Sequence, residues 1–343
     1  MGGNTSDNGG VLGPVRNIVE LARIAGVSAG TVSRALADNP LVKARTREKI
    51  QAIARQHDFK LNQMASRLRT KRTGLIGVVI PLGHERRQHI SDPFFMRMLG
   101  ALADIITESG NGLVLHRVIP DNDEWLVRIA SSGLLDGVLI IGQSDQFDVI
   151  EQAAARNCPI VAWGQYQPGQ RHYSVGTDNF AAGKLAARHL IERGAQRLAF
   201  LGDLVGTEIP ARYDGFKAEA NAHGLDVTPL ESDLAANNPD TDIIRHADLM
   251  EGMYDGVLAG SDVIAMRTLR ALADRSINVP GQVAVVGFDD LPLAKHTVPR
   301  LTTIRQDIQR GAQEMVAALF RQIAGENVES VIMPPQLVVR DSA

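Results

Sequence analysis

From residue 74 onward, short apolar runs alternate with longer stretches of helical periodicity, and this alternation restricts the fold more than any other feature of the chain. Apolar runs that are bounded by glycine and separated by helices are typical of parallel sheets covered on both faces. The runs lie at 75–80, 113–118, 137–141, 159–163, 198–202, 256–259 and 283–287. The helical stretches lie near 94–108, 148–156, 180–193, 211–223, 240–250, 262–275 and 307–325. The number of these strand–helix units is larger than one sheet comfortably holds. We therefore expect an α/β core of two doubly wound lobes. Its ligand site should lie outside the carboxyl ends of the strands, between the lobes.

The charge of the chain is divided unevenly. Residues 15–73 contain 13 lysines and arginines against 4 acidic residues, a net charge of +9, although the whole chain carries −3. Residues 74–343 contain 23 basic and 34 acidic residues. Such asymmetry indicates a nucleic acid or an anionic membrane surface as a partner, and a solvated, salt-bridged helical face is the alternative.

Composition excludes several classes of protein. No apolar run reaches the ~20 residues that a membrane span requires, and residues 1–10 lack the basic and apolar regions of a signal peptide. The single cysteine, Cys158, excludes a disulfide framework and a site with several thiolate ligands. We therefore expect a cytoplasmic protein without a cofactor.

The basic segment begins with the pattern of two short helices. Asn17 and Glu20 have the spacing of a capping pair, Gly26 ends the first helix, and Ser28 can cap a second helix that runs to Leu36. This is a helix-turn-helix in outline, and a third helix is expected at about 45–57. Apolar residues of the first helix recur at helical spacing: Ile18, Leu21, Ala22 and Ala25.

The residues that carry a family resemblance lie in and around this helix-turn-helix. Residues 25–36 read AGVSAGTVSRAL, and residues 283–308 read VAVVGFDDLPLAKHTVPRLTTIRQDI. Both segments, with the sequence from 46 to 81 between them, resemble lactose-repressor-type (LacI/GalR) transcriptional regulators, and the resemblance extends from Val15 to the C-terminus. It implies an all-α helix-turn-helix headpiece and a core like that of periplasmic sugar-binding proteins.

The resemblance also implies a division of the chain into domains. A flexible tail at 1–14 precedes the DNA-binding domain at 15–61, a hinge helix at 62–73 and an effector-binding core at 74–343. Within the core we expect one lobe at about 74–175 with 304–329, and the other at about 176–303 with 330–343.

The candidate DNA contacts lie at the start of the second helix, which must enter the major groove. Ala29 and Gly30 match positions that contact bases in the resembled family, and Arg34 matches a third position from which a guanidinium reaches guanine. Hydroxyl side chains suit phosphate contacts, which set register: Ser28, Thr31 and Ser33. The alternative for Thr31 and its neighbours Val32 and Leu36 is packing in the headpiece core.

The basic hinge contains the sharpest of these expectations. Leu68 is an exposed leucine in a segment too short to hold a core of its own. Wedging into a base step of the minor groove, between Arg67 and Arg69, would explain it, and packing under the core is the alternative. The resemblance places Leu68 at an intercalating position, with Asn62 able to cap the hinge helix, and implies pairing of hinges across a dimer.

The candidate effector contacts follow from the resemblance. They come from the Asp92-Pro93-Phe94-Phe95 segment, from ARYDGF, from GSD and from VGFDD. Aromatic faces stack on sugar rings, and charged groups hydrogen-bond to hydroxyls. An interlobe salt bridge between the arginine and an aspartate is the alternative, and Asp262 could equally cap a helix. The residues concerned are Asp92, Phe94, Phe95, Arg212, Ser261 and Asp289.

The chain departs from the family pattern at three positions. Gly164 stands where many members have an aspartate that bonds the effector, which suggests that Trp163 or Gln165 takes part instead. Leu234 replaces a stacking aromatic residue of some relatives. Lys43 stands where serine often caps the third helix, which should cost some local stability.

Neither catalysis nor metal binding is indicated. The chain has no G-x-S-x-G elbow and no phosphate-binding P-loop motif. His84, Glu85 and His89 tempt a zinc interpretation, but the histidines lie five residues apart and a metalloprotease helix needs four. The role of the His84–His89 loop stays open.

The sequence therefore predicts a homodimeric transcriptional repressor that binds a pseudo-palindromic operator in double-stranded DNA. A small effector, expected to be a sugar, would bind between the lobes and control genes of sugar uptake or catabolism. A nucleobase or a phosphorylated effector acting as corepressor is the alternative. A solute-binding module for transport and a sugar-processing enzyme are competing classes, with no leader and no nucleophile–base pair to support them.

Overall fold

The computed structural model describes residues 15, 17–59, 72–81, 90–120, 122–143, 145–231 and 239–343. The chain divides into two units at the bond between Thr73 and Gly74. No helix among the described residues is long and apolar enough to cross a membrane.

The first unit is built from the helices α1 (Ile18–Ala25), α2 (Ala29–Leu36) and α3 (Ala44–Gln56). The side chain of Asn17 accepts hydrogen bonds from the backbone N–H groups of Val19 and Glu20, which caps α1. Gly26 ends α1 in the left-handed conformation, with φ of 72°. Ser28 then caps α2 as the sequence predicts, so local capping defines the turn of the helix-turn-helix.

The three helices share one small core. Leu21, Val32 and Ile50, one from each helix, are completely buried. Val32 thus has the packing role that the sequence left open for it, and Leu36 is half-buried against the same cluster. Lys49 of α3 donates to the carbonyl of Ala25 at the end of α1 (3.3 Å), where a cation complements the helix dipole.

The second unit contains two six-stranded sheets, which confirms the predicted pair of doubly wound lobes. The first sheet has the order β11-β5-β4-β3-β1-β2 and is parallel throughout. Its strands are β1 (Leu75–Pro81), β2 (Gly112–Val118), β3 (Gly137–Ile141), β4 (Ile160–Trp163), β5 (Tyr173–Thr177) and β11 (Val331–Met333).

The second sheet has the order β12-β10-β9-β8-β6-β7 and is parallel except for the antiparallel pair β10 and β12. Its strands are β6 (Leu198–Leu201), β7 (Val227–Leu230), β8 (Gly256–Ala259), β9 (Ala284–Asp289), β10 (Thr302–Arg305) and β12 (Gln336–Val338).

Helices cover the faces of the sheets. In the first lobe they are α4 (Pro93–Glu108), α5 (Trp125–Ala130), α6 (Phe147–Ala155) and α11 (Ile308–Ile323). In the second they are α7 (Asn179–Glu192), α8 (Glu208–Ala222), α9 (Pro239–Met253, kinked at Glu251 and Gly252) and α10 (Asp262–Asp274), with a 3-10 helix at Pro292–His296. Buried aliphatic residues fill the space between helices and strands in both lobes.

The chain crosses between the lobes at three places, all further along than the sequence suggests. The expected boundaries at 175/176 and 303/304 fall inside β5 and β10, and the boundary at 329/330 precedes β11, which pairs with β5 in the first lobe. The crossings therefore follow Thr177, Arg305 and Met333. Short strands with polar residues hide such boundaries, since they lack a continuous apolar run.

Helices α7 and α8 approach each other unusually closely. A Cβ atom at Gly183 would collide with the backbone carbonyl of Arg212, and one at Gly215 would collide with the carbonyl of Phe180. The two glycines therefore allow backbone-to-backbone contact between the helices, and this contact fixes the helix that carries Arg212.

Candidate functional site

The start of α2 carries the predicted DNA contacts. Ser28 is exposed, and Ala29, Gly30 and Thr31 are half-exposed. Arg34 is also exposed, and its Nε donates to the carbonyl of Gly30 one turn earlier (3.1 Å). The guanidinium therefore lies along the same exposed stretch of helix as the small residues, where it could turn toward a base edge.

Two of the hydroxyl groups expected to contact phosphate are engaged within the helix start. The Oγ of Ser28 accepts from the backbone N–H of Thr31 (3.2 Å) and lies 2.8 Å from the Thr31 Oγ1. Ser33, the third, is only 9% exposed. Ser33 lies on the buried side of α2 beside Val32, and its contact with phosphate stays a prediction.

Replacing Lys43 by serine should stabilise the first unit. Lys43 precedes α3 and forms no side-chain capping hydrogen bond, whereas a serine oxygen could accept from an N–H of the first turn. We expect Lys43→Ser to raise the free energy of unfolding by about 1 kcal/mol, measured by urea denaturation of the full chain. Lys43→Ala is the control, and equal stability of the two variants would contradict this explanation.

Several predicted positions lie outside the described residues. They include the hinge residues Asn62, Arg67, Leu68 and Arg69, the His84–His89 loop and Leu234. Within the described part of the chain, no group of three or more histidine, cysteine, aspartate or glutamate side chains could hold a metal ion.

In the second unit, Arg212 on α8 is the centre of the candidate effector site. Its side chain is 8% exposed, and its guanidinium lies over the ring of Phe288, 3.7 Å from the centroid. Nε donates to the Oδ1 of Asn179 (2.8 Å), and Nη1 donates to the carbonyl of Gly260 (2.6 Å). Among the described residues, Nη2 has no hydrogen-bond partner.

The electrostatic surroundings of Arg212 have two opposing effects. Burial lowers the pKa of the guanidinium, and the carboxylates of Asp289 and Glu208 raise it. No carboxylate oxygen of a described residue forms a salt bridge with Arg212 within 4.0 Å. The interlobe salt bridge that the sequence offered as an alternative is therefore absent here, and the guanidinium keeps donors for a ligand.

A chain of amides connects Arg212 to the first lobe. Asn179 donates through Nδ2 to the Oε1 of Gln165 (2.8 Å), and the carbonyl of Gln165 accepts from the Nε2 of Gln143 (3.1 Å). Asn179 begins a helix that packs on the second sheet, whereas Gln143 and Gln165 follow strands of the first sheet. Gln165 thus joins the lobes through a hydrogen bond, and its contact with the effector stays a prediction.

Sequence reasoning missed three members of this arrangement: Gln143, Asn179 and Glu208. Each follows the carboxyl end of a strand or begins a helix beside one, which is where a doubly wound fold collects ligand contacts. That topological signal could have identified them, although no local motif marks them.

Asp289 ends β9 in a backbone conformation that is rare for a residue with a side chain. Its φ is 123°, and that of Asp290 is 54°. The side chain of Asp290 is held by ion pairs with Arg305 and Arg340. Its carbonyl accepts from Arg97 of the first lobe (2.8 Å). These three arginines thus hold the strained turn in place through Asp290, and the turn directs the side chain of Asp289 into the protein.

The carboxyl group of Asp289 is almost fully buried and accepts a hydrogen bond from the Nε2 of Gln306 (2.7 Å). Burial raises its pKa to about 7, and Asp92 acts in the same direction, while Arg212 and Gln306 oppose the shift. Asp289 therefore faces both the cationic centre of the site and the predicted contact Asp92 on the first lobe.

The aromatic part of the site is formed by α4. Asp92 caps this helix through the N–H of Phe94 (2.8 Å), and burial raises the pKa of its carboxyl. Phe94 and Phe95 are half-buried, with ring centroids 5.8 Å apart. Both rings can therefore offer a face to a ligand.

Trp163 was expected among the effector contacts, but it is only 3% exposed. Its ring packs on Gly311 of α11, where a Cβ atom would collide with it, and its centroid lies 6.2 Å from that of Phe94. Trp163 therefore belongs to the core of the first lobe and supports Phe94 from behind.

Ser261, and not Asp262, caps the helix α10. Ser261 caps α10 by accepting from the N–H of Ile264 (3.3 Å). Asp262 is fully buried, accepts from the N–H of Leu291 (2.7 Å) and bonds the hydroxyl of Thr303. Burial and the neighbouring Asp289 raise the pKa of Asp262. It therefore holds the strained turn in place, while the Ser261 hydroxyl is engaged by its helix.

The pH dependence of ligand binding should report on Asp289. An ionised carboxylate is the stronger acceptor for a ligand hydroxyl. With its pKa at about 7, we expect affinity to rise roughly tenfold from pH 6 to pH 8, following the ionised fraction. Calorimetric titration would measure this rise, and Asp289→Asn should abolish it. An equal slope in both proteins would contradict the assignment.

The stability of the free protein should respond to pH in the opposite direction. The folded-state pKa of Asp289 lies above the unfolded value of 3.8, so the folded state binds more protons between these two values. Stability should therefore fall as the pH rises across that window and level off above it.

The arrangement suits binding of a polar ligand. Unpaired guanidinium donors, buried carboxylates and two aromatic rings surround the carboxyl ends of both sheets, which offers hydrogen bonds and a stacking surface.

Comparisons with known proteins agree with this architecture. Residues 17–62 match the model of bacterial regulatory proteins of the lacI family, and residues 187–343 match that of the periplasmic binding protein-like domain. An uncharacterized HTH-type transcriptional regulator from the aml 5′ region of Streptomyces limosus is 30% identical over 347 residues. The match covers 96% of this chain and 94% of that protein.

Two solved structures extend the comparison. The lac repressor dimer bound to operator and the anti-inducer ONPF has a TM-score of 0.80 at 25% identity, covering 96% of this chain and 99% of that one. The complex of the transcriptional regulator CelR with cellobiose has a TM-score of 0.65 at 25% identity, covering 96% of this chain and 100% of that one. Both matches span the headpiece and the core.

Proposed function

Because the chain belongs to the lacI family of bacterial regulatory proteins, we propose that it is a homodimeric repressor whose affinity for an operator is controlled by a sugar. Members of this family are DNA-binding transcriptional regulators, not enzymes. The observation that carries the proposal is the buried Arg212, which keeps free donors among carboxylates and aromatic rings at the carboxyl ends of both sheets.

The headpiece supports sequence-specific binding to duplex DNA. The small residues Ala29 and Gly30 add little side-chain volume at the start of α2, and Arg34 lies along the same exposed stretch. The segment from 15 to 73 carries a net charge of +9, so phosphate contacts should release counterions and make the affinity steeply dependent on salt. Leu68 is proposed as the wedge in the minor groove, flanked by Arg67 and Arg69.

The chemistry of the cleft supports a sugar as effector. The half-buried rings of Phe94 and Phe95 can stack on the C–H face of a sugar, while Arg212 and Asp289 offer charge-assisted hydrogen bonds to its hydroxyls. The cellobiose complex of CelR is a similar protein with a sugar in its title. Regulation of sugar uptake or catabolism follows as part of the proposal.

The surface of the second lobe supports a dimer. The 3-10 helix and α9 pack on one core cluster through Ala294 and Met250. The same elements expose apolar side chains, with Met253 at 52%, Leu293 at 55% and Val298, just beyond the 3-10 helix, at 90%. Exposed apolar side chains such as these are suited to an interface between two copies, and the lac repressor relative is described as a dimer. Two headpieces in one dimer would match a pseudo-palindromic operator.

Coupling would arise from the relative pose of the lobes. Hydrogen bonds join them through Asn179 and Gln165 and through Arg97 and the Asp290 carbonyl. An effector that binds one pose better than another shifts their populations, and a coupling of roughly 1–3 kcal/mol is sufficient for regulation. The proposed consequence is a change in the pairing of the two hinges and hence in operator affinity.

The proposal is tested by two selections on the full-length protein. Genomic fragments would be enriched by binding at physiological salt, and neutral sugars, including cellobiose and ribose, would be screened by thermal shift. We expect a preferred fragment with an inverted repeat and at least one stabilising sugar. Binding no better than to random duplex would contradict the regulator function, and a screen without a stabilising sugar would contradict the effector class.

A further inference from the structure

The space beside Gly164 is filled by side chains from other parts of the chain. Gly164 follows β4, at the carboxyl end of the first sheet. A Cβ atom built on it would lie 2.5 Å from the Oε1 of Glu208 and 2.7 Å from the Cγ of Gln143. Any residue other than glycine would therefore have to displace these two side chains.

Glu208 reaches this space from the second lobe. It is the first residue of α8, and its Oε1 accepts from the backbone N–H of Gln143 in the first lobe (3.4 Å). Its Oε2 accepts from the hydroxyl of Thr207 (3.1 Å), which also donates to the Oε1 of Gln143 (3.4 Å). The carboxylate is therefore held across the cleft by contacts with both lobes.

Glu208 also lies next to the cationic centre of the site. It precedes Arg212 by four residues, so both side chains share one face of α8, and its charge favours the protonated guanidinium. Asp289 does the same from the second sheet. A ligand that reaches the free donors of Arg212 therefore meets two carboxylates around one guanidinium.

We propose that Glu208 selects the charge of the effector: it admits uncharged, hydroxyl-rich ligands to Arg212 and rejects phosphorylated or carboxylated ones. Gly164 makes room for this carboxylate. The inference rests on the proposed function, in that the cleft around Arg212 is the effector site. A buried guanidinium with a free nitrogen would otherwise attract anions, because arginine recognises phosphate and carboxylate strongly.

The direct test is the variant Glu208→Gln, which keeps the shape and removes the charge. Inorganic phosphate is the probe, titrated by calorimetry into the full-length protein at constant ionic strength. We expect the variant to bind phosphate at least tenfold more tightly than the wild type. The reason is that one neighbouring charge changes the pKa of an ionisable group by about 1–3, and a bound anion is subject to the same repulsion. Adding Arg212→Ala should abolish the gain.

Thr207→Ala is the matched control for a purely structural role. It removes the hydroxyl that bonds Glu208 and Gln143 but leaves the charge. Its phosphate affinity should equal that of the wild type. A gain as large as that of Glu208→Gln would overturn the proposal, because loosening the contact would then be sufficient.

A second variant shortens the side chain as well as removing the charge. Glu208→Ala should also gain phosphate binding. Unchanged phosphate affinity in both Glu208→Gln and Glu208→Ala would overturn the proposal. A gain in phosphate affinity together with a failed sugar screen would support charge selection by Glu208 and contradict a sugar as the effector. A response to sugar without any gain in phosphate affinity would support a sugar as the effector and contradict charge selection.

Discussion

Arg212→Ala is expected to abolish the response to effector and to leave operator binding largely intact. The variant removes the free donors of the guanidinium and the positive charge near the buried Asp289. A hydrogen bond to a charged group contributes about 1.5–3 kcal/mol. Effector affinity should therefore fall by one to two orders of magnitude, measured by calorimetry with the sugar found in the screen.

Two further variants test whether the charge of Arg212 alone is sufficient and whether losing any arginine of this lobe has the same effect. Arg212→Lys keeps the charge but cannot hold Asn179 and the Gly260 carbonyl with one planar fork, so it should also lose most of the affinity. Arg270→Ala is the matched control, because Arg270 is largely exposed on α10 and, among the described residues, forms an ion pair only with Asp274. Wild-type effector affinity in Arg212→Ala would contradict the site assignment.

Gly215→Ala is expected to destabilise the core strongly, although helix propensity alone predicts the opposite. Replacing glycine by alanine inside a helix favours the helix by about 1 kcal/mol. At Gly215, however, the new Cβ would collide with the backbone carbonyl of Phe180, which no change of rotamer can relieve. Overpacking of this kind costs about 1–3 kcal/mol or more, so unfolding in urea should show a net loss of stability.

Gly100→Ala is the matched control, because a Cβ there meets nothing within 4 Å on the exposed side of α4. It should gain up to about 1 kcal/mol. Gly215→Ala should also weaken effector binding, since separating α7 and α8 moves Arg212. If both glycine variants were equally stable, close contact between the helices would not be what requires glycine at 215.

The elements that the sequence predicts well are those whose causes are local. Asn17, Gly26 and Ser28 set the ends of α1 and α2 through capping and a left-handed turn, and each can be read from its neighbours alone. Continuous apolar runs likewise predict strands such as β3 and β8. The strands β7, β10, β11 and β12 carry polar or short segments, so only their pairing in the folded sheet defines them.

The cleft was predicted unevenly for the same reason. The resemblance predicts Arg212 and Asp289 as effector contacts, and the structure brings the two close enough to interact electrostatically. Trp163 is buried by partners distant in sequence, such as Gly311 against its ring, and no local pattern indicates this burial. The hydroxyl of Ser261 was misassigned because a helix start competes for it.

The departure at Gly164 shows what a local reading leaves out. The sequence suggests that Trp163 or Gln165 replaces the missing aspartate of the family pattern. In the structure Trp163 is buried, Gln165 joins the lobes through Asn179, and the space itself is filled by Glu208 and Gln143. Residues 21 to 65 positions apart meet there, and no motif records such a meeting.

The most direct test of the account is the reciprocity of coupling between the two ligands. Operator affinity would be measured by fluorescence anisotropy with and without saturating effector, and effector affinity by calorimetry with and without operator, at one salt concentration. Thermodynamic linkage requires the two ratios to agree, and we expect both to lie between roughly 5-fold and 150-fold. Ratios of one in both directions, for a protein that binds each ligand, would show that the cleft and the headpiece are not coupled.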